Sequence, residues 1–191
     1  MPLIVIAALI LVPILVPTQE APGKCPTQTP RNVSAKEMTN EELIAALRPG
    51  RPERVTEVVA EVARRGEVMI PMLASLKGCR ETFLGGGLGN PMSAQLIPEA
   101  KAGNLEPIPL EQAALYLIVG IYRGSLSYAQ SPYLVDLREP QRRRTASVSP
   151  RLNERAWRSV DRWIAEWRKS NLQELRHRKQ DPLAGSKLSF W

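Results

Sequence analysis

Apolar residues in this chain recur at helical spacing, punctuated by glycine and proline. Val55, Val58, Val59 and Val62 fall on one side of a helical wheel. That pattern predicts an amphipathic helix opening near Pro52 and closing at Arg64-Arg65-Gly66. Proline suits a first turn, where its missing N–H would have no partner. Arginines suit a last turn, and glycine suits the position just beyond it. A second apolar run, Val68-Met69-Ile70-Pro71-Met72-Leu73, begins at once. A helix over 67–77 is therefore expected, with Pro71 tolerated near its start and Gly78 closing it. Two helices joined by so little chain must lie against each other. Upstream, Thr39-x-x-Glu42 matches a capping box, and Leu43, Ile44 and Leu47 place a short helix over 40–47, ended by Pro49-Gly50.

Pro109 opens the most apolar helix, expected over 110–122 with Glu111 in its first turn. Ala113, Ala114, Leu117, Ile118 and Ile121 form one face, and Leu115, Tyr116 and Val119 widen it. A helix apolar almost all round belongs at the buried centre of a domain. Gly124 ends it, and Ser131-Pro132 begins a short turn with Tyr133, Leu134, Val135 and Leu137 available for packing. After the basic connector QRRRTASVSP comes an amphipathic helix over about 152–169. Leu152, Ala156, Trp157, Val160, Trp163, Ile164 and Trp167 fill an arc of about 140° at 100° per residue. Three buried Trp would contribute on the order of 2–3 kcal/mol each, so docking on the domain is the favoured reading. The tail DPLAGSKLSFW is expected to fold Leu188, Phe190 and Trp191 back onto the body.

Between these blocks, residues 79–109 form a Gly- and Pro-rich connection of unusual length. Gly85-Gly86-Gly87-Leu88-Gly89-Asn90 suggests a phosphate loop. However, no strand pattern precedes it, no Gly-Lys-Ser/Thr follows, and Asn90 stands where the last Gly of G-x-G-x-x-G belongs. It reads as a surface loop, and the role of 84–90 is left open. At the N-terminus the residues from Pro2 to Val16 are apolar without a break, short of the roughly 20 that a spanning helix needs, and Pro13 and Pro17 disturb such a helix. Residues 1–21 are read as an export signal or an uncleaved hydrophobic segment, although no Lys or Arg precedes the run and no clean small-x-small site follows. Residues 22–38, polar and rich in Pro and Thr, read as a linker, and 39–191 as the helical domain.

The segment LIAALRPGRPERVTEVVAEVARRGEVMIPMLASLKG, from Leu43 to Gly78, resembles a HEAT-type helical repeat. It has a short helix with Leu43 and Leu47, a longer one ending in Arg-Arg-Gly, and then Gly66-x-x-x-Ile70-Pro71-x-Leu73 turning into the next. No second copy follows at a period of about 40 residues, so the remaining helices must complete the core. The combination YLIVGIYRGS, SPYLVDL, AWRSVDRWIAEWR and DPLAGS is similar to a group of exported bacterial proteins of unknown role. The resemblances imply an all-α fold, a HEAT-like hairpin extended by further helices into a compact bundle. They imply an exported location and no activity.

Charge sharpens this picture. The chain carries a net +7, yet residues 138–179 hold 13 Lys and Arg against 5 Asp and Glu, leaving −1 for the rest. Arg142, Arg143 and Arg144, with Arg151, Arg155, Arg158 and Arg162, form a candidate site for an anionic surface: lipid head groups, cell-wall polymer or an acidic protein. A solvated face is the plainer alternative. Catalytic chemistry finds little to work with. His177, the one histidine, sits in LRHRKQ without a nearby carboxylate, and no H-x-x-H, C-x-x-C or D-x-D occurs. Glu53, Glu57 and Glu61 read as a solvated helix stripe. No catalytic residue, cofactor or metal is assigned. In an exported protein Cys25 and Cys79 are expected to pair, with a free thiol or an intermolecular bridge as alternatives. The function expected is that of an exported, periplasmic or extracellular helical scaffold that acts by binding protein. The alternative is a peripheral envelope protein held on an anionic surface, with nucleic acid an unlikely partner outside the cytoplasm.

Overall fold

The computed structural model describes residues 25–27, 29–48, 52–83, 108–129, 131–140 and 148–190. The hydrophobic N-terminal segment, the Gly-rich stretch 84–90, Arg142, Arg143, Arg144 and Trp191 lie outside the described residues. Helices dominate: α1 (Asn40–Ala46), α2 (Pro52–Arg65), α3 (Ile70–Ala74), α4 (Leu110–Arg123), α5 (Pro150–Trp167) and α6 (Leu172–His177). The fold is not purely helical. Strand β1 (Thr82–Phe83) pairs antiparallel with β2 (Ile108–Pro109), and β3 (Leu134–Asp136) pairs antiparallel with β4 (Leu188–Phe190). The second pairing corrects one expectation, since Leu134 and Val135 pack from a strand and not from a short turn, and the tail folds Leu188 and Phe190 back onto the core as expected, doing so as the strand that pairs with β3.

Capping chemistry sets the first helix. The Glu42 amide donates to Thr39 Oγ1 at 3.2 Å, and the Thr39 amide donates to Glu42 Oε2 at 2.8 Å. This is the reciprocal box that the sequence predicts. Between α2 and α3 the chain turns at Gly66, whose φ of +67° favours glycine. Residues Gly66–Met69 then form a 3₁₀ turn, and α3 starts only at Ile70. Pro71 has no N–H to donate four residues back, so a continuous α-helical ladder from 67 is interrupted there. The expected helix over 67–77 is accordingly shorter and tighter than its apolar pattern suggests, and Val68 is exposed.

Every residue of α4 from Leu110 to Tyr122 is buried. Its first amides are satisfied from outside the helix: Leu110 N–H donates to the Glu81 carbonyl at 2.8 Å and Glu111 N–H to the Cys79 carbonyl at 3.0 Å. At the other end Gly124 takes the left-handed conformation, and the Arg176 guanidinium donates to the carbonyls of Tyr122 and Ile121 at 2.5 and 2.6 Å. A cation at a helix C-terminus meets both unpaired carbonyls and the negative end of the dipole. Helix α6 carries that arginine and buries Leu172 and Leu175. One continuous core joins α1 to α6 and both strand pairs. Trp157 and Trp163 are buried in it and Trp167 packs at its edge. Trp163 donates from Nε1 to the Gln180 carbonyl at 2.8 Å and stacks edge-on against Tyr122. Tyr116 meets Phe190 of β4 in the same way, with ring centroids 5.3 Å apart.

The segment read as a linker is partly docked. Ala35 and Met38 are buried, and the Arg31 guanidinium binds the Glu42 carboxylate, with Nη2 to Oε2 at 3.0 Å. Of the α2 acids expected to form a solvated stripe, Glu57 is exposed but Glu61 is not. Glu57 accepts from the Ala35 amide at 3.0 Å, and Glu61, 4% exposed, binds Arg64 at 2.6 Å and Arg65 at 2.9 Å. Arg65 goes on to Asn40 Oδ1 and the Met38 carbonyl, each at 2.7 Å. The side chain of Glu53 lies outside the described residues.

These contacts set an acid dependence. Arg31 and the Thr39 amide hold the Glu42 carboxyl down at about 2, and Arg64 with Arg65 holds Glu61 at about 2, against an ordinary 4.5. The unfolded chain therefore takes up these protons first. The stabilisation is complete above pH 4.5 and is lost as pH falls towards 2. Urea midpoints measured from about pH 6 downwards should stay level and then fall across that window. A Glu42→Gln, Glu61→Gln variant should fall less steeply, and an identical fall would show that other carboxyls carry the acid response.

Candidate functional site

The expected disulfide is present. Cys25 and Cys79 are joined, with their Cα atoms 5.1 Å apart, and Cys79 is fully buried at the end of the α3 turn. Glu81 brings a carboxylate within 4.8 Å of both sulfurs. With the sulfurs bonded to each other, neither is a thiolate ligand, and Glu81 is engaged by Arg48 at 2.5 and 3.1 Å.

The basic face divides when its residues are placed. Arg155 is only 15% exposed and lies 2.8 Å from Asp136 of β3, so its charge is spent inside the molecule. Arg158 pairs with Glu154 one turn earlier at 2.6 Å. Arg151 and Arg162 are exposed and make no ion pair among the described residues. Of the seven arginines expected to act together, the structure thus leaves these two as outward-facing cations, while Arg142, Arg143 and Arg144 lie outside the described residues. His177 is exposed in the last turn of α6. Burial pushes the Tyr116 hydroxyl up to about 12, so it remains a donor, to the Leu126 carbonyl at 2.5 Å.

A cleft of about 220 Å³ opens where the first turns of α4 and α5 meet the β1–β2 pair. Its polar walls are Arg80, Thr82, Glu111 and Asn153, and its apolar walls are Pro109, Val148 and Pro150. Glu111, 8% exposed, accepts from the Gly78 amide through Oε2 at 3.0 Å. Asn153 is 2% exposed, and its Oδ1 makes no hydrogen bond among the described residues. Arg80 and Glu111 line this space without pairing with each other. Pro150 brings no N–H, and the Ser149 side chain does not cap α5, which leaves the donors of that first turn without a side-chain acceptor.

Sequence reasoning assigned none of these four polar residues to a site. One signal was available: Asn153 stands one helical turn before Trp157, inside the apolar stripe of α5, where a polar side chain needs a partner. Arg80 and Thr82 carry no such mark, because only tertiary folding brings them to the helix ends. Comparison of the chain with protein-family models, with curated proteins and with solved structures finds no match.

Proposed function

We propose that this chain is an exported helical module that works by contact and not by catalysis. The observation that carries the reading is the Cys25–Cys79 bridge, which suits an oxidising compartment outside the cytoplasm. The apolar run ahead of it in the sequence supports the same location. Three features support a HEAT-like unit for α1 to α3: the short helix before a longer one, the break at Gly66, and Pro71 in the first turn of the helix that follows. The buried α4 and the Trp-anchored α5 would then replace further repeats in closing the core.

Fractionation of cells producing the full chain, with thiols trapped on lysis, tests the proposal. The protein should be found outside the cytoplasm with both cysteines blocked by their bridge. A cytoplasmic protein with two reactive thiols would overturn it. The exposed Arg151 and Arg162 favour a second reading, attachment to an anionic envelope surface. A salt wash in the same experiment separates the two, because attachment by charge is released as ionic strength rises.

A further inference from the structure

The exposed cations of α5 fall into a line. At about 100° per residue, Arg151, Arg158, Arg162 and Lys169, the last just past the helix end, share an arc of about 40°. All four are exposed, and the line from first to last is about 27 Å long at roughly 1.5 Å per residue. Arg155 lies on the same side but is drawn in to Asp136. The acids of the helix stand off the line, roughly 60–80° from it. Glu154 and Asp161 flank one side and Glu166 the other. Each already has a cation: Arg158 for Glu154, Lys77 for Asp161 and Lys169 for Glu166, at 2.6, 2.9 and 2.9 Å. Arg151 and Arg162 are left without an ion pair among the described residues. Neither placement serves the helix. Arg151 stands in the first turn, where the positive end of the dipole repels a cation and no acidic residue offsets it. Arg162 follows Arg158 by one turn, the spacing at which like charges repel.

We propose that this line seats a linear anionic polymer of the cell envelope, lying lengthwise along α5. The inference rests on the second reading above, attachment to an anionic envelope surface, and names the form of that surface. A thread of negative charge meets the centre line of the helix and little else, so it faces cations along its whole contact. A flat lipid surface resting on the same helix also meets Glu154, Asp161 and Glu166, whose carboxylates oppose it. Three of the four cations are arginines, and their planar forks fit the oxygens of an anionic group through paired hydrogen bonds. The two ion pairs on the line, Glu154–Arg158 and Glu166–Lys169, are solvent-exposed and therefore weak, so an incoming anion displaces them readily. Contact along a length also sums several weak attractions that a small anion cannot reach together.

Three probes test it against the oxidised full-length protein at several salt concentrations: long-chain polyphosphate, triphosphate, and vesicles of phosphatidylglycerol with phosphatidylcholine. Polyphosphate should bind. Triphosphate, which reaches no further than the neighbouring Arg158 and Arg162, should bind about ten-fold more weakly or worse. Vesicles should bind less tightly than polyphosphate at the same salt. The logarithm of the polymer affinity should fall linearly with the logarithm of the salt concentration. Arg151→Gln and Arg162→Gln should each flatten that slope by about 0.7, the share of one charge contact on a single strand. Neither should lower the melting temperature. Arg168→Gln is the control. Arg168 is exposed at the end of the same helix but about 100° from the line, so its loss should leave slope and affinity unchanged. An Arg168→Gln variant weakened as much as Arg162→Gln, triphosphate equal to polyphosphate, vesicles bound more tightly than the polymer, or no binding of polyphosphate would each overturn the proposal. Vesicle binding without polymer binding would refute the linear form alone and leave attachment to an anionic surface standing.

Discussion

Trp157→Ala is expected to cost about 3–5 kcal/mol of unfolding free energy, the range for emptying a buried aromatic site. Domains of this kind are stabilised by about 5–15 kcal/mol in all, so the variant should stand near the edge of folding. The argument rests on where the side chain sits. Trp157 is 1% exposed in the middle of α5, in the core that also holds α4. Its Nε1 makes no hydrogen bond among the described residues, so Trp157→Phe removes an unmatched donor along with some volume. That variant should lose much less, under about 2 kcal/mol. Trp167, half-buried at the end of the helix, gives the control. Urea unfolding followed by far-UV circular dichroism orders the three: Trp157→Ala lowest, then Trp167→Ala, with Trp157→Phe nearest the parent. If Trp167→Ala proved the more damaging, α5 would be anchored by its end and not by its centre.

What could be read in advance follows from the distance over which each signal acts. The Thr39–Glu42 box, the turn at Gly66 and the stop at Gly124 are written in three or four neighbouring residues, and each is found where the pattern places it. The burial of α4 is equally plain, because no polar face interrupts it. Strands β3 and β4 carry three residues each, too few to establish an alternating period, and their partners come from opposite ends of the C-terminal half. Helix α6 was hidden by its charge. LRHRKQ reads as a solvated basic run, although Arg176 is the cation that closes α4. Glu61 and Arg155 mislead in the same way. Each falls on a polar stretch of its own helix, and each is drawn inward by a partner: Glu61 by Arg65, which is itself fixed to Asn40 and Met38, and Arg155 by Asp136. Charge is legible in a sequence, whereas its neutralisation across elements is a property of the fold. The cleft is the extreme case, since its walls come from the approach to β1, from β1 itself and from the first turns of two helices.

Removing the Cys25–Cys79 bridge is expected to lower stability by about 4 kcal/mol in the chain-entropy account, given the separation of 54 residues between the two cysteines. For a domain of this length that corresponds to a fall of roughly 8–16 °C in melting temperature. The loss should come with little change in the folded secondary structure. Arg31 on Glu42, Arg54 on the Val33 carbonyl and Arg65 on the Met38 carbonyl each hold the segment before α1 independently of the sulfurs. Constraint of the unfolded chain is therefore the larger part of what the bridge supplies. The cleaner variant is Cys25→Ser with Cys79→Ala, since Cys79 is fully buried and a serine there would add an unmatched hydroxyl. Thermal unfolding of this variant, of the parent and of the parent with a dithiol reductant gives the measurement. The reduced parent and the double variant should melt together, well below the oxidised protein, with the circular dichroism spectra overlaying at low temperature. If all three melted alike, the bridge would confer no stability, and the link between this cross-link and life outside the cytoplasm would lose its physical basis.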